Sequence, residues 1–183
     1  PKFKTLNVHP SLLPKLRGPS PIKSAILEEK ETGVTIMRLD AEMDHGPIIS
    51  QQKIEIAWPP YEEDLEEKAG KLGGKMLVEI IPLWVDGKIK EKEQDHSLAT
   101  LCQKIQKPDG EIKLSDSPEL NLRKIRAFHI WPTAYFFYER NGKNIRVVIK
   151  TAHIEGGELV LDKIVPEGKK EMSYKDFLRG DKS

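Results

Sequence analysis

The first forty residues carry their apolar positions in short runs broken by prolines. "FKTLNVH" reads as a strand, with Phe3, Leu6 and Val8 apolar and Asn7 and His9 between or beside them. Prolines at 10, 14, 19 and 21 then force a loop, because each removes a backbone donor and restricts the residue before it. "PIKSAILEE" predicts a helix with Ile22, Ala25 and Ile26 on one face, and Gly33 ends that unit. "VTIMRLD" is a β-branched strand, "MDHGP" a turn, and "IISQQKIEIAW" a further strand with Ile54 and Ile56 alternating. From Tyr61 to Leu83, Tyr61, Leu65, Ala69, Leu72, Met76 and Ile80 recur at steps of three and four. That spacing is one face of a long helix, which Pro82 is expected to close. Gly73 and Gly74 weaken its middle by up to about 1 kcal/mol each, which suggests close packing there.

The pattern then lapses. Residues 86–97, "DGKIKEKEQDHS", are charged and lack an apolar period, so they are expected to be a linker. It would separate a first domain, 1–85, from a second, 98–183. In the second, Ser117 and Pro118 open a helix with Leu122, Ile125 and Phe128 on one face. "AYFFYE", "IRVVIKTAHI" and "ELVLDKIV" are strands, with turns at Asn141-Gly142 and Gly156-Gly157. Such closely spaced strands predict a small antiparallel barrel or sheet. "SYKDFLRG" predicts a final short helix capped by Ser173 and Asp176.

Composition changes this picture little. The chain has 183 residues, 38% hydrophobic and 32% charged, which fits a globular protein. No apolar run is long enough to span a bilayer, and no membrane partner is expected. One cysteine, Cys102, excludes an internal disulfide and fits a reducing compartment. Charge is uneven: residues 1–95 hold 14 Lys and Arg against 17 Asp and Glu, a net −3, whereas residues 96–183 hold 16 against 12, a net +4. A basic second part, with arginines, lysines and aromatics mixed between Arg123 and Lys150, is compatible with a nucleic-acid face or with ordinary surface scatter.

Chemistry concentrates near the start. Alternate residues of a strand share a side, so Asn7 and His9 project together, and an amide beside an imidazole is able to stabilise a developing oxyanion. Asp44, in the turn after a strand, is placed to orient a histidine or take a proton through water. Each residue also has a purely structural reading. His9, Ser11 and Asp44 supply the residue types of a serine hydrolase, but no nucleophile elbow exists. The histidines at 9, 45, 96, 129 and 153 lack paired metal-ligand spacing, and no Walker loop or G-x-G-x-x-G is present, so no metal is expected.

The order of these signals is informative. "NVHPSLLPKLRGPSPIKSAIL" followed by "ETGVTIMRLDAEMDHGPII" resembles the second half of the catalytic domain of the 10-formyltetrahydrofolate-dependent formyltransferases. "IRAFHIWPTAYF" with "VPEGKKEMSYKDFLRG" resembles the carboxyl-terminal domain of the methionyl-tRNA formyltransferase family. The resemblance implies an α/β fold: the C-terminal half of a Rossmann-like formyltransferase domain, followed by an OB-like antiparallel β-barrel that helps hold tRNA. It implies formyl transfer from 10-formyltetrahydrofolate to the α-amine of methionyl-initiator tRNA, for translation initiation, in a monomeric protein of the bacterial cytoplasm or an organellar matrix. Asn7, His9 and Asp44 match the family's catalytic trio, with Asn7 and His9 on the oxyanion and Asp44 setting the charge of His9. Ser11, Leu12, Leu13 and Pro14 match the folate-contacting loop. The family commonly has a small hydroxyl residue at the place of His45, so an imidazole beside Asp44 is a departure. The family also begins with a nucleotide-binding-like half, which leads to the expectation that the first strand is parallel within a larger sheet and that these 183 residues alone are inactive. A sugar-nucleotide formyltransferase, a formyltetrahydrofolate hydrolase-type domain and a non-catalytic tRNA-binding fragment remain open.

Overall fold

The computed structural model describes residues 4–180. Phe3, expected in the first strand, lies outside the described residues. The chain divides into two compact units, residues 1–104 and 105–183.

The first unit holds a three-stranded sheet of order β1-β2-β3, built from β1 (Leu6–His9), β2 (Gly33–Arg38) and β3 (Ile48–Lys53). Both pairings are antiparallel, with Asn7 opposite Met37 and His9 opposite Thr35. The chain crosses through α1 (Pro21–Glu28) and returns beside β1 in the opposite sense, which leaves β1 at one edge of the sheet. Residues 54–58, expected to extend the third strand, fall outside it, since β3 ends at Lys53.

The long helix α2 (Glu62–Val85) packs its predicted face on the sheet. Leu65, Ala69, Gly73, Met76 and Ile80 are buried, and Val34, Ile36 and Ile49 meet this face from the strands, with Leu6 and Val8 packed alongside. Full burial of a side chain such as Met76 or Ile80 stabilises by about 1.5–3 kcal/mol. Three acids, Glu62, Glu63 and Asp64, occupy the first turn, where the helix dipole favours them. Pro82 does not close the helix as expected. It sits inside the last turn, where its missing N–H would have bonded the carbonyl of Val78, a residue 76% exposed and so open to water.

Residues 86–97, expected to link domains, are drawn into the first unit. Lys92 exchanges two backbone bonds with Ile48, Glu91 makes a forked ion pair with Arg38, and Gln94 is buried. Beyond them Thr100 and Cys102 bond the backbone of Arg17.

The second unit holds a four-stranded antiparallel sheet of order β4-β5-β6-β7: β4 (Tyr135–Arg140), β5 (Lys143–Glu155), β6 (Glu158–Pro166) and β7 (Met172–Ser173). Asn141 (φ 52°) and Gly142 (φ 71°) make the tight β4–β5 turn that positive φ at both positions allows. Helices α3 (Pro118–Ala127) and α4 (Tyr174–Arg179) supply Leu122, Ile125 and Phe177 to a core with Phe136, Val147, Ile149 and Ile164. Ser117 caps α3 and Ser173 caps α4, as the sequence predicts. Register shifts at Ile149–Ala152 bend β5, yet no barrel closes among the described residues. The observed class is therefore mixed α/β with two antiparallel sheets.

Candidate active site

Strand alternation sets the site. Leu6 and Val8 face α2, which leaves Asn7 and His9 on the opposite face of β1. His9 is buried, and its Nε2 lies 2.9 Å from the carbonyl of Leu16. A carbonyl only accepts, so Nε2 carries a proton and donates, and Nδ1 is the nitrogen left for chemistry. That Nδ1 stands 3.6 Å from Asp44 Oδ1. Asn7 Nδ2 stands 3.5 Å from the same oxygen, a loose contact. The second oxygen of Asp44 accepts a 2.8 Å bond from the amide of Gly18. Asp44 itself sits at φ 51°, in the left-handed region that Asp tolerates better than most residues. The three residues predicted from the sequence are thus brought together, from β1 and from the turn between β2 and β3.

All three line one cavity of about 440 Å³. Its other walls include Gly18, the first turn of α1 and an ion pair of Lys23 with Glu62. The amino end of α1 adds partial positive charge to a place where an oxyanion would form. Gly18 has no room for a side chain: at φ 116°, a Cβ would stand 2.8 Å from the carbonyl of Cys102.

The loop after β1 divides between residues turned inward and residues that line a surface cavity. Ser11 is fully buried, and its hydroxyl donates to the Lys15 carbonyl at 2.6 Å. Leu13 is also buried, and its amide donates to Thr35 Oγ1 at 3.2 Å. Ser11 and Leu13 therefore shape the loop from inside. Leu12 and Pro14 line a second cavity of about 320 Å³, together with Lys15, Leu16 and Thr32. None of these four loop residues lines the 440 Å³ cavity that holds Asn7, His9 and Asp44.

Two residues that hold this loop were not singled out from the sequence. Thr35, fully buried on β2 opposite His9, donates to the Ser11 carbonyl at 2.7 Å and accepts from Gln51 Nε2 at 2.8 Å. Gln51 also donates to the Leu13 carbonyl at 2.9 Å. Strand alternation places Thr35 on the face away from Val34 and Ile36, the face it shares with His9, and that was the available signal.

His45 turns away from the cavity. Its Nδ1 pairs with Asp40 Oδ2 at 2.7 Å, and its ring stacks on His96 with centroids 4.0 Å apart. The His45 contact holds the Asp40 carboxyl below the usual carboxylate range. Burial pushes the Cys102 thiol up, which keeps it an unreactive packing residue beside Leu16 and Ala25. No group of three or more His, Cys, Asp or Glu among the described residues is arranged to hold a metal ion. No helix among them is long and apolar enough to cross a membrane. In the second unit, Arg146 lies 3.9 Å over the ring of Tyr135 and donates to Thr133, while Trp131 and Phe137 are half exposed.

Comparison with known proteins identifies the family. The family described as Formyl transferase matches residues 1–81, and Formyl transferase, C-terminal domain, matches residues 104–158. Methionyl-tRNA formyltransferase of Chloroflexus aggregans is 41% identical over 149 residues, covering 81% of this chain and 48% of the relative. The chain thus spans about half the length of that curated relative. Among solved structures, methionyl-tRNA formyltransferase from Clostridium thermocellum superposes with a TM-score of 0.68 at 21% identity, over 88% of this chain and 67% of that one. HypX from Aquifex aeolicus in complex with tetrahydrofolic acid gives a TM-score of 0.68 at 18% identity, over 96% of this chain and 35% of that one. These last two likenesses speak for the fold. The family matches in both units, the identity to the curated relative and the shared fold lead to one conclusion: the chain belongs to the formyl transferase family.

Proposed function

We propose that this chain carries the catalytic trio and the carboxyl-terminal domain of a methionyl-tRNA formyltransferase. The observation that carries the reading is the convergence of Asn7, His9 and Asp44 on one cavity, with the Asp44 carboxylate 3.5 Å from the amide and 3.6 Å from the imidazole. The free α-amine of methionyl-initiator tRNA attacks the formyl carbon of 10-formyltetrahydrofolate, forming a C–N bond. The carbonyl oxygen becomes an oxyanion, which the Asn7 N–H stabilises together with the doubly protonated His9 ring, through Nδ1–H. Asp44, directly or through water, takes the proton that the amine loses. The bond from the formyl carbon to the folate nitrogen then breaks, and that nitrogen takes up the proton that Asp44 received. No covalent bond to the protein is required.

The folate donor runs along the Ser11–Pro14 loop. Leu12 and Pro14 supply apolar contacts on the loop's outer side, and the buried Ser11 and Leu13 fix its shape. The second unit serves as an OB-like module for tRNA. Its support is the long β5 with its register shifts and the net +3 charge of residues 105–183, 15 Lys and Arg against 12 Asp and Glu, which suits phosphate contact. The protein works as a monomer in the bacterial cytoplasm or an organellar matrix.

The test is acceptor choice. The protein expressed from its complete coding sequence is assayed with 10-formyltetrahydrofolate and either methionyl-initiator tRNA or an amino sugar nucleotide. Transfer to the tRNA is expected. Preference for the sugar nucleotide would overturn the assignment.

A further inference from the structure

The segment that the sequence presents as a charged linker reaches the reaction centre through one side chain. Gln94 is 5% exposed. Its Nε2 donates to two carbonyls of the Asp44 turn, that of Asp44 at 2.9 Å and that of Gly46 at 2.7 Å. Its Oε1 accepts twice from Arg17, from Nε at 3.2 Å and from Nη2 at 2.7 Å. A guanidinium only donates, so it fixes which end of the amide is oxygen and aims the NH2 group at the two carbonyls. Arg17 is itself held. Its Nη2 donates to His96 Nδ1 at 2.9 Å, and its backbone bonds Thr100 and Cys102. The next residue, Gly18, binds the Asp44 carboxylate. The backbone and the carboxylate of Asp44 are therefore gripped by adjoining parts of one ring of contacts: residues 16–18, Gln94, and the turn at 44–46.

The turn needs such a grip. Asp44 holds a left-handed backbone at φ 51°, and Gly46 lies so close to β2 that a Cβ there would overlap the Arg38 carbonyl. Without Gln94 the carbonyl of Gly46 loses a donor in a buried place and that of Asp44 in a part-buried one. We propose that Gln94 is a positioning residue: by holding the Asp44 turn, with its amide oriented by Arg17, it sets the carboxylate against Asn7 and His9. The proposal rests on the catalytic reading of Asp44 given above.

Gln94→Glu is the discriminating change. It keeps the side chain's size and its partner Arg17, but sets a carboxylate oxygen against two carbonyl oxygens. Glu91→Gln serves as control, because it loosens the same segment at the Arg38 pair and leaves Gln94 untouched. Two readouts are taken in the protein expressed from its complete coding sequence. One is hydrogen exchange at the Gly18 amide, which reports the Asp44 carboxylate without any reaction. The other is the division of the formyl-transfer defect between kcat and KM. In Gln94→Glu, Gly18 exchange is expected to rise at least about tenfold, as its acceptor is displaced. kcat is expected to fall about 10²-fold, the scale of a misplacement near 1 Å, with KM for both substrates nearly unchanged. The control changes neither. If Gln94→Glu does not fold, Gln94→Met poses the same question with an apolar side chain. Wild-type Gly18 exchange in the folded variant overturns the proposal, as does loss of activity that the control reproduces. Faster Gly18 exchange with unchanged kcat upholds the grip of Gln94 on the turn and overturns the catalytic reading of Asp44 instead.

Discussion

Two adjacent glycines in α2 are expected to respond to the same substitution with opposite signs. An alanine Cβ at Gly73 would stand 2.6 Å from Val8 Cγ1 and 3.5 Å from Val34 Cγ1. Carbon pairs rest at about 3.5–4.0 Å, so the first contact is about 1 Å too short. Val8 is β-branched and stiff, and it lies between Asn7 and His9, so the strain is relieved by moving α2 or β1. Overpacking of this kind costs about 1–3 kcal/mol. Replacing a mid-helix glycine returns about 1 kcal/mol. Gly73→Ala is therefore expected to be neutral to about 2 kcal/mol destabilising. At Gly74 a Cβ meets nothing within 4 Å, so Gly74→Ala keeps the gain of about 1 kcal/mol. The difference between the two variants, about 1–3 kcal/mol, isolates the contact with Val8. Trp58 and Trp84 lie in the first unit and Trp131 in the second. Urea unfolding followed by tryptophan fluorescence in a Trp131→Phe background therefore reports the unit in question. Equal stability of the two variants would refute the packing of α2 on β1.

Further outcomes follow from individual contacts. His45→Ala should leave formyl transfer within about twofold, because the imidazole is committed to Asp40 and His96 outside the cavity; a loss near that of a removed oxyanion donor, about 10²-fold, would return it to the chemistry. Thr35→Val should destabilise by about 1–3 kcal/mol and raise the KM for the folate donor, since the hydroxyl joins Ser11, Leu13 and Gln51; unchanged stability by urea titration would contradict that role. The Arg38 guanidinium holds the Glu91 carboxyl below its ordinary 4.5, so the folded state favours the ionised form. That stability is present above the ordinary value and is lost as pH falls through the lowered one. Glu91→Gln should thus cost about 1 kcal/mol at neutral pH, with the gap to wild type closing below pH 4.5; a pH-independent gap would speak against the pair.

The convergence of Asn7, His9 and Asp44 was legible in the sequence because its signal is local. Asn7 and His9 share a face by strand alternation alone, and the left-handed turn at Asp44 ends in a glycine and proline that any reader of turns would notice. Gly73, placed in the middle of a long helical period, announced a close approach that Val8 then explains. Gly74 announced the same and meets nothing. What stayed hidden was held by polar and backbone groups. Residues 86–97 have no apolar period because their attachments are the Lys92 backbone, the Glu91 ion pair and the Gln94 amide, none of which leaves a hydrophobic rhythm. The inward turn of Ser11 and Leu13 depends on Thr35, a partner 24 and 22 residues away, and sequence spacing does not reveal such pairs.

The central claim is that Asn7 and His9, set by β1 against Asp44, stabilise a formyl-transfer oxyanion. Single-turnover transfer from 10-formyltetrahydrofolate to methionyl-initiator tRNA tests it most directly, with Asn7→Ala and His9→Ala in the protein expressed from its complete coding sequence. Each variant is predicted to lose about 10²–10³-fold in the transfer rate, while both substrates still bind with near wild-type affinity. Wild-type transfer by His9→Ala would contradict the account.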